Sequence, residues 1–176
     1  MPFNVRHNPQ NDLLNLANYH REVIEEKTAR KEELGIALDC LSCLIALAFY
    51  VEALFNYVGQ EKIPSWKERD SSPKKIKLVL CTLGLPVELD SEPFSAIATL
   101  REIRNGLAHG KPTRRRAQAA NRLELNAATK GPWAEYTNPT AVDDLYRQVT
   151  NLRDLLFKAA GIRLGASLTS AVGSFG

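Results

Sequence analysis

His109 is one of three histidines in a chain of 176 residues, and it closes the stretch REIRNGLAHGKP, with Arg101 and Arg104 before it and Lys111 after it. A histidine titrates near neutrality and can take or give a proton. An arginine beside it can hold a phosphate and stabilise the extra charge that builds there during reaction. Those two parts suffice for metal-independent cleavage of RNA, in which a 2′-hydroxyl attacks the adjacent phosphate. On a helix, Arg101, Asn105, Ala108 and His109 fall on one face, and Arg104 flanks it. The apolar stripe Ile97, Leu100, Ile103 and Leu107 lies elsewhere, so the polar set is expected to face solvent or a partner. Gly106 costs such a helix about 1 kcal/mol relative to alanine, which implies close approach of a backbone or a ligand. The helix C-terminus favours a protonated His109, and the nearby arginines oppose it.

Charge is concentrated at the same place. The whole chain carries net +3, but the segment Arg101–Arg122 carries +6, which leaves −3 on the remainder. Lys111, Arg114, Arg115 and Arg116 read either as a solvated loop or as contacts that track phosphates, each adding salt-dependent affinity. No aromatic residue is interleaved with them, so base stacking is not expected there. His7 and His20 stand apart without ligand spacing, and no metal cluster or cofactor is anticipated. A Gly-rich phosphate loop and a serine or cysteine nucleophile signature are also missing.

These residues must be positioned by helices. Apolar content of 44% with 24% charged residues is ordinary for one globular domain of this length. Asn11 and Asp12 can cap a first helix carrying Leu13, Leu14, Leu16, Ala17, Val23 and Ile24. Glu33–Tyr57 is apolar on nearly every face, as a central bundle helix is, with Asp39, Glu52 and Asn56 as polar exceptions that face solvent or a functional pocket. Gly59 is expected to end it. Ser72-Pro73 starts a helix that stops at Gly84, and Ser91-Glu92-Pro93 starts the one that carries His109. Thr113–Pro139 has no clean period. Val142, Leu145, Val149, Leu152, Leu155 and Leu156 mark a last helix over Ala141–Ala160. The expectation is an all-α, up-and-down bundle of about five to six helices over residues 1–160, with a Gly/Ser-rich, flexible tail at 161–176.

Three cysteines imply no disulfide framework, and Cys40 and Cys43 lie in an apolar run as buried thiols. The polar start MPFNVRHNPQND is unlike a signal peptide, and the uncharged run between Asp39 and Glu52 is shorter than the roughly 20 residues of a membrane span. A cytoplasmic protein without a membrane partner is expected.

Arg104-Asn105-Gly106-Leu107-Ala108-His109 resembles the signature of HEPN domains (higher eukaryotes and prokaryotes nucleotide-binding): arginine, four to six residues, then histidine, with a polar residue directly after the arginine. Trp66-Lys67-Glu68-Arg69, Ser72-Pro73-Lys74-Lys75-Ile76-Lys77-Leu78 and Leu83-Gly84-Leu85 precede the motif helix in the matching order, and the likeness covers roughly Leu34–Lys111. The resemblance implies an all-α domain that dimerises and brings two Arg/His pairs to one cleft. It also implies a metal-independent ribonuclease of toxin–antitoxin or phage-defence type, leaving a 2′,3′-cyclic phosphate and a 5′-hydroxyl. Arg104 would then bind the scissile phosphate, His109 would act as general base or acid, and Asn105 would orient one of them. Gly106 would fit the crossing of the two protomers, while Arg101, Lys111, Arg114, Arg115 and Arg116 would contact RNA. Some family members do not cut, and bind RNA, a nucleotide or a partner protein instead. An antitoxin or a nucleotidyltransferase is the partner that either role would suit.

Overall fold

The computed structural model describes residues 3–112, 114 and 116–172. Five helices of eleven residues or more make up most of it: α1 (Pro9–Ala29), α2 (Ile36–Lys62), α3 (Ser72–Thr82), α4 (Ser95–His109) and, after the seven-residue α5 (Arg122–Ala128), α6 (Pro139–Ala160). The all-α expectation holds as a class. One small addition is a two-stranded antiparallel sheet, β1 (Asn4–Arg6) with β2 (Ser170–Val172), in which Val5 lies opposite Ala171.

Helix α2 is the centre, and α1, α3, α4 and α6 all pack on it. Its buried residues Cys40, Cys43, Leu44, Leu47, Val51, Leu54 and Val58 form one stripe, which Ala46, Ala48, Tyr50, Phe55 and Tyr57 widen on both sides. By length and composition α2 could cross a membrane, but 56% of its most apolar window is buried within the fold. Val142, Leu145, Val149, Leu152 and Leu156 of α6 and Ile97, Leu100 and Ile103 of α4 supply facing core residues. Helix α1 runs antiparallel to α2. Lys27 meets Asp39 at 2.6 Å at one end of the pair, and Arg6, just before α1, pairs with Glu61 at the other. It is antiparallel to α6 as well, because Asn18 bonds Tyr146 while Arg21, one turn further on, bonds Asp143.

Several boundaries differ from the sequence expectation for physical reasons. Helix α1 begins at Pro9, whose missing N–H costs nothing in the first turn, rather than at Asn11. Gly59 lies inside α2, which continues to Lys62. A Cβ on Gly59 would come within 2.4 Å of the Trp66 ring, so this glycine makes room for an indole and does not end the helix. Gly84, at φ +65°, does follow α3 closely. Helix α5 is nucleated by a capping box: Asn121 Oδ1 accepts from the Glu124 backbone N–H at 3.0 Å, and Glu124 Oε2 accepts from Ala120 N–H at 2.8 Å. Helix α6 starts at Pro139, capped by the Asn138 side chain.

Residues 161–172 belong to the fold and do not form a separate tail. The Ser167 carbonyl accepts from the side-chain amides of Asn8, Gln10 and Asn11, and Tyr57 Oη donates to the Ala166 carbonyl. Residues 173–176 of the expected tail lie outside the described residues.

Candidate functional site

Helix α4 is held by its buried stripe, Ala96, Ile97, Leu100 and Ile103, and ends at His109. Gly110 leaves it at φ −58°, ψ 130°, where a Cβ would stand 2.3 Å from the Gly106 carbonyl oxygen. A side chain at position 110 would therefore force the chain off this exit path.

Arg104 turns towards α2. Its Nη2 donates to Glu52 Oε2 at 2.7 Å, its Nη1 donates to Asn105 Oδ1 at 3.0 Å, and its Cζ lies 5.9 Å from the centre of the Phe49 ring. The Arg104 side chain is about a quarter exposed, at 27%. Glu52, one of the polar exceptions of α2, is thus turned towards α4 and paired with Arg104. The other oxygen of its carboxylate lies 3.7 Å from Lys75 Nζ on α3. Lys75 is 5% exposed, and its ammonium also donates to Asn56 Oδ1 at 2.8 Å and to the Glu68 carbonyl at 3.3 Å. A chain of charges, Lys75–Glu52–Arg104, therefore runs from the interior to the surface and fixes the guanidinium. Arg101 is half-buried and lines the same small recess as Glu52 and Arg104. Neither Lys75 nor Phe49 was visible as a site residue in the sequence; the apolar surroundings of Lys75 in the α3 stripe were the available signal.

His109 is exposed and makes no hydrogen bond among the described residues, and Asn105 and Ala108 are exposed beside it. His109 lies five positions after Arg104, which on an ideal helix sets them about 140° apart. The structure thus places both on one helix without bringing them to one point. The other histidines are engaged elsewhere: His7 pairs with Asp12 at 2.8 Å, and His20 packs edge-on to Tyr19.

The basic segment divides. Lys111 and Arg114 line a wide cleft of about 1250 Å³ together with Gly106, Gly110 and Trp133, whereas Arg116 is exposed outside it. Arg115, also expected to contact phosphate, lies outside the described residues. Gly106 accommodates the indole of Trp133 from the same chain: a Cβ there would be 3.4 Å from ring atoms Cε3 and Cζ3. The sequence implies the approach of a backbone or a ligand; the structure instead sets here a side chain of the same chain, which the segment 131–136 folds back onto α4. Trp133 was missed because it stands 24 residues beyond His109 in the chain.

Cys40 and Cys43 are buried, and burial pushes their thiols up to about 11 and about 12. Cys43 donates to the Ala17 carbonyl at 3.3 Å. Neither is an activated nucleophile. Among the described residues no three His, Cys, Asp or Glu side chains converge as a metal-ligand set. No family model, curated protein or solved structure matches the chain.

Proposed function

We propose that this protein is a metal-independent endoribonuclease of HEPN type, acting as a homodimer, and that Arg104, Asn105 and His109 carry the reaction. The observation that carries this reading is the state of Arg104 and His109 on α4. Arg104 is held in one orientation at the surface by Glu52, Asn105 and Phe49, and His109 stands exposed and unpaired at the end of the same helix. In the step this supports, a 2′-hydroxyl gives its proton to one histidine and its oxygen attacks the neighbouring phosphorus. The O2′–P bond forms and the P–O5′ bond breaks, while a second histidine protonates the departing 5′-oxygen. Arg104 neutralises charge on the non-bridging oxygens. The products are a 2′,3′-cyclic phosphate and a 5′-hydroxyl.

A second copy supports that chemistry in two ways. It supplies the second histidine, and it offers a partner Arg104 to a His109 that sits on another side of its own helix. Helix α2 presents Leu38 and Phe49 to solvent, at 70% and 45% exposure, along the side from which Glu52 reaches Arg104. Such a stripe suits an isologous contact. A toxin or phage-defence role, with an antitoxin or nucleotidyltransferase partner, is the biological setting we propose for it.

The second reading is a module that docks RNA, a nucleotide or a partner protein without cutting. Glu52 favours it, because an incoming phosphate must compete with this carboxylate for Arg104. Incubation of wild type and His109→Ala with total RNA in EDTA, followed by end-group analysis, separates the two. Cyclic-phosphate ends from the wild type alone establish the nuclease. RNA left intact by both, yet bound, establishes the module.

A further inference from the structure

Trp133 stands where the basic segment returns to α4. Its ring is half-buried, pressed on Gly106, and a Cβ on Gly131 would come within 3.0 Å of its Cε2 and Cζ2 atoms. It forms part of the wall of the wide cleft beside the end of α4. At about 1250 Å³ that cleft is larger than the roughly 300–1,000 Å³ of common small-molecule pockets, so it suits a length of extended polymer. Among the described residues its lining carries Lys111, Arg114 and Lys130 and no acidic residue, the rest being small or apolar. Glu102 and Glu135 line a separate recess that also borders Trp133. Cations for phosphates beside an indole for a base's π-face are what a single-stranded nucleic acid requires. A duplex keeps its bases stacked and offers no face to the indole. An acidic peptide would have no use for the ring.

We propose that this cleft seats a single-stranded RNA segment, one base stacked on Trp133 and the flanking phosphates on Lys111 and Arg114. Gly106 and Gly110, which frame His109 in the chain, both line the cleft, so the bound strand runs past the end of α4 that carries this histidine. Trp133 is therefore a positioning residue that sets substrate affinity without reading base identity. The choice of RNA as ligand rests on the ribonuclease reading; the stacking site does not depend on cleavage.

The protein contains two tryptophans, so Trp66→Phe leaves Trp133 as the sole indole fluorophore. This variant is titrated with a dye-labelled, uncleavable 2′-O-methyl RNA octamer, following dye anisotropy for binding and tryptophan emission for stacking. Should Trp66→Phe not fold, the difference in quenching between wild type and Trp133→Phe gives the same readout. Both signals are expected to saturate at one octamer concentration. An abasic octamer with the same phosphates is expected to bind about 5- to 100-fold more weakly and to leave the emission unchanged. Octamer binding without quenching, equal affinity for the abasic chain, absence of octamer binding, or quenching by an oligoglutamate peptide in its place would each overturn the proposal. Quenching by a protein that never cuts RNA would sink the nuclease reading and leave this site standing. Cleavage without quenching would do the reverse.

Discussion

The carboxylate of Glu52 bridges two cations, at 2.7 Å from Arg104 Nη2 and 3.7 Å from Lys75 Nζ, and so ties the surface guanidinium of α4 to a buried ammonium of α3. The pair with Arg104 is about a third exposed, so its contribution to folding is small, about 0–1 kcal/mol. Its contribution to orientation is larger, because it fixes one edge of the guanidinium fork. Arg104→Lys keeps the charge and loses the fork. We expect a loss of about 100-fold in kcat with a change of less than about 1 kcal/mol in urea-unfolding stability. Equal kcat for the two proteins would show that Arg104 acts only as a point charge.

Lys75 behaves differently because it is buried. Lys75→Met removes the donor to Asn56 and to the Glu68 carbonyl and leaves Glu52 with Arg104 alone. Losing these part-buried hydrogen bonds from a charged donor costs about 1–3 kcal/mol. The expected outcome is a clear fall in the urea midpoint, and an unchanged midpoint would mean that water replaces the ammonium.

Gly59→Ala tests the packing of Trp66. Alanine raises helix stability by about 1 kcal/mol at an unconstrained interior position. Here its methyl group would stand 2.4 Å from Trp66 Cζ3, and overpacking of this kind costs about 1–3 kcal/mol. The variant is expected to be less stable by thermal unfolding. Gly59→Ala combined with Trp66→Leu should recover the loss, and failure to recover would place the cost elsewhere.

Burial also predicts an alkaline limit. Cys40 and Cys43 are raised to about 11 and about 12, and the phenol of Tyr50 is raised by the same desolvation. The unfolded chain loses these protons first, so between roughly pH 9 and pH 12 it binds fewer of them than the folded chain does, and stability falls as pH rises through that window. Urea midpoints at pH 7.5 and pH 10 measure it. In the native state near pH 8, a thiol reagent should modify the exposed Cys81 first and reach the buried pair only on unfolding.

The long elements were legible because their own residues specify them. Leu and Val at steps of three and four declare α6, and a helix apolar on nearly every face had to be central. What escaped depends on partners distant in sequence. Gly59 reads as a terminator until Trp66 is seen against it. The Asn121–Glu124 capping box was present as a local signal, hidden in a segment without apolar period. The pairing of β1 with β2 joins residues more than 160 positions apart, beyond the reach of any local pattern. At the site, the motif on α4 and the polar exception Glu52 could be read, since charge in an apolar helix is conspicuous. Their contact could not, nor could the return of Trp133 to Gly106, because both are set by how helices and turns stack.

Whether the reacting groups come from one chain or two follows from the helical offset between Arg104 and His109. If one chain held a complete site, a mixture of Arg104→Ala and His109→Ala proteins would contain none, because each chain lacks one member. If two copies share the site, a mixed dimer keeps one arginine and one histidine from different chains. Random exchange of equal amounts makes about half the dimers mixed. We expect each variant alone to be inactive. The mixed dimer keeps one of the two histidines and leaves the other proton transfer to water, so the refolded mixture should regain a small fraction of wild-type cleavage, read from cyclic-phosphate ends. A mixture as silent as its components, with mixed dimers demonstrated by differential tags, would mean that the two α4 helices do not build a common cleft.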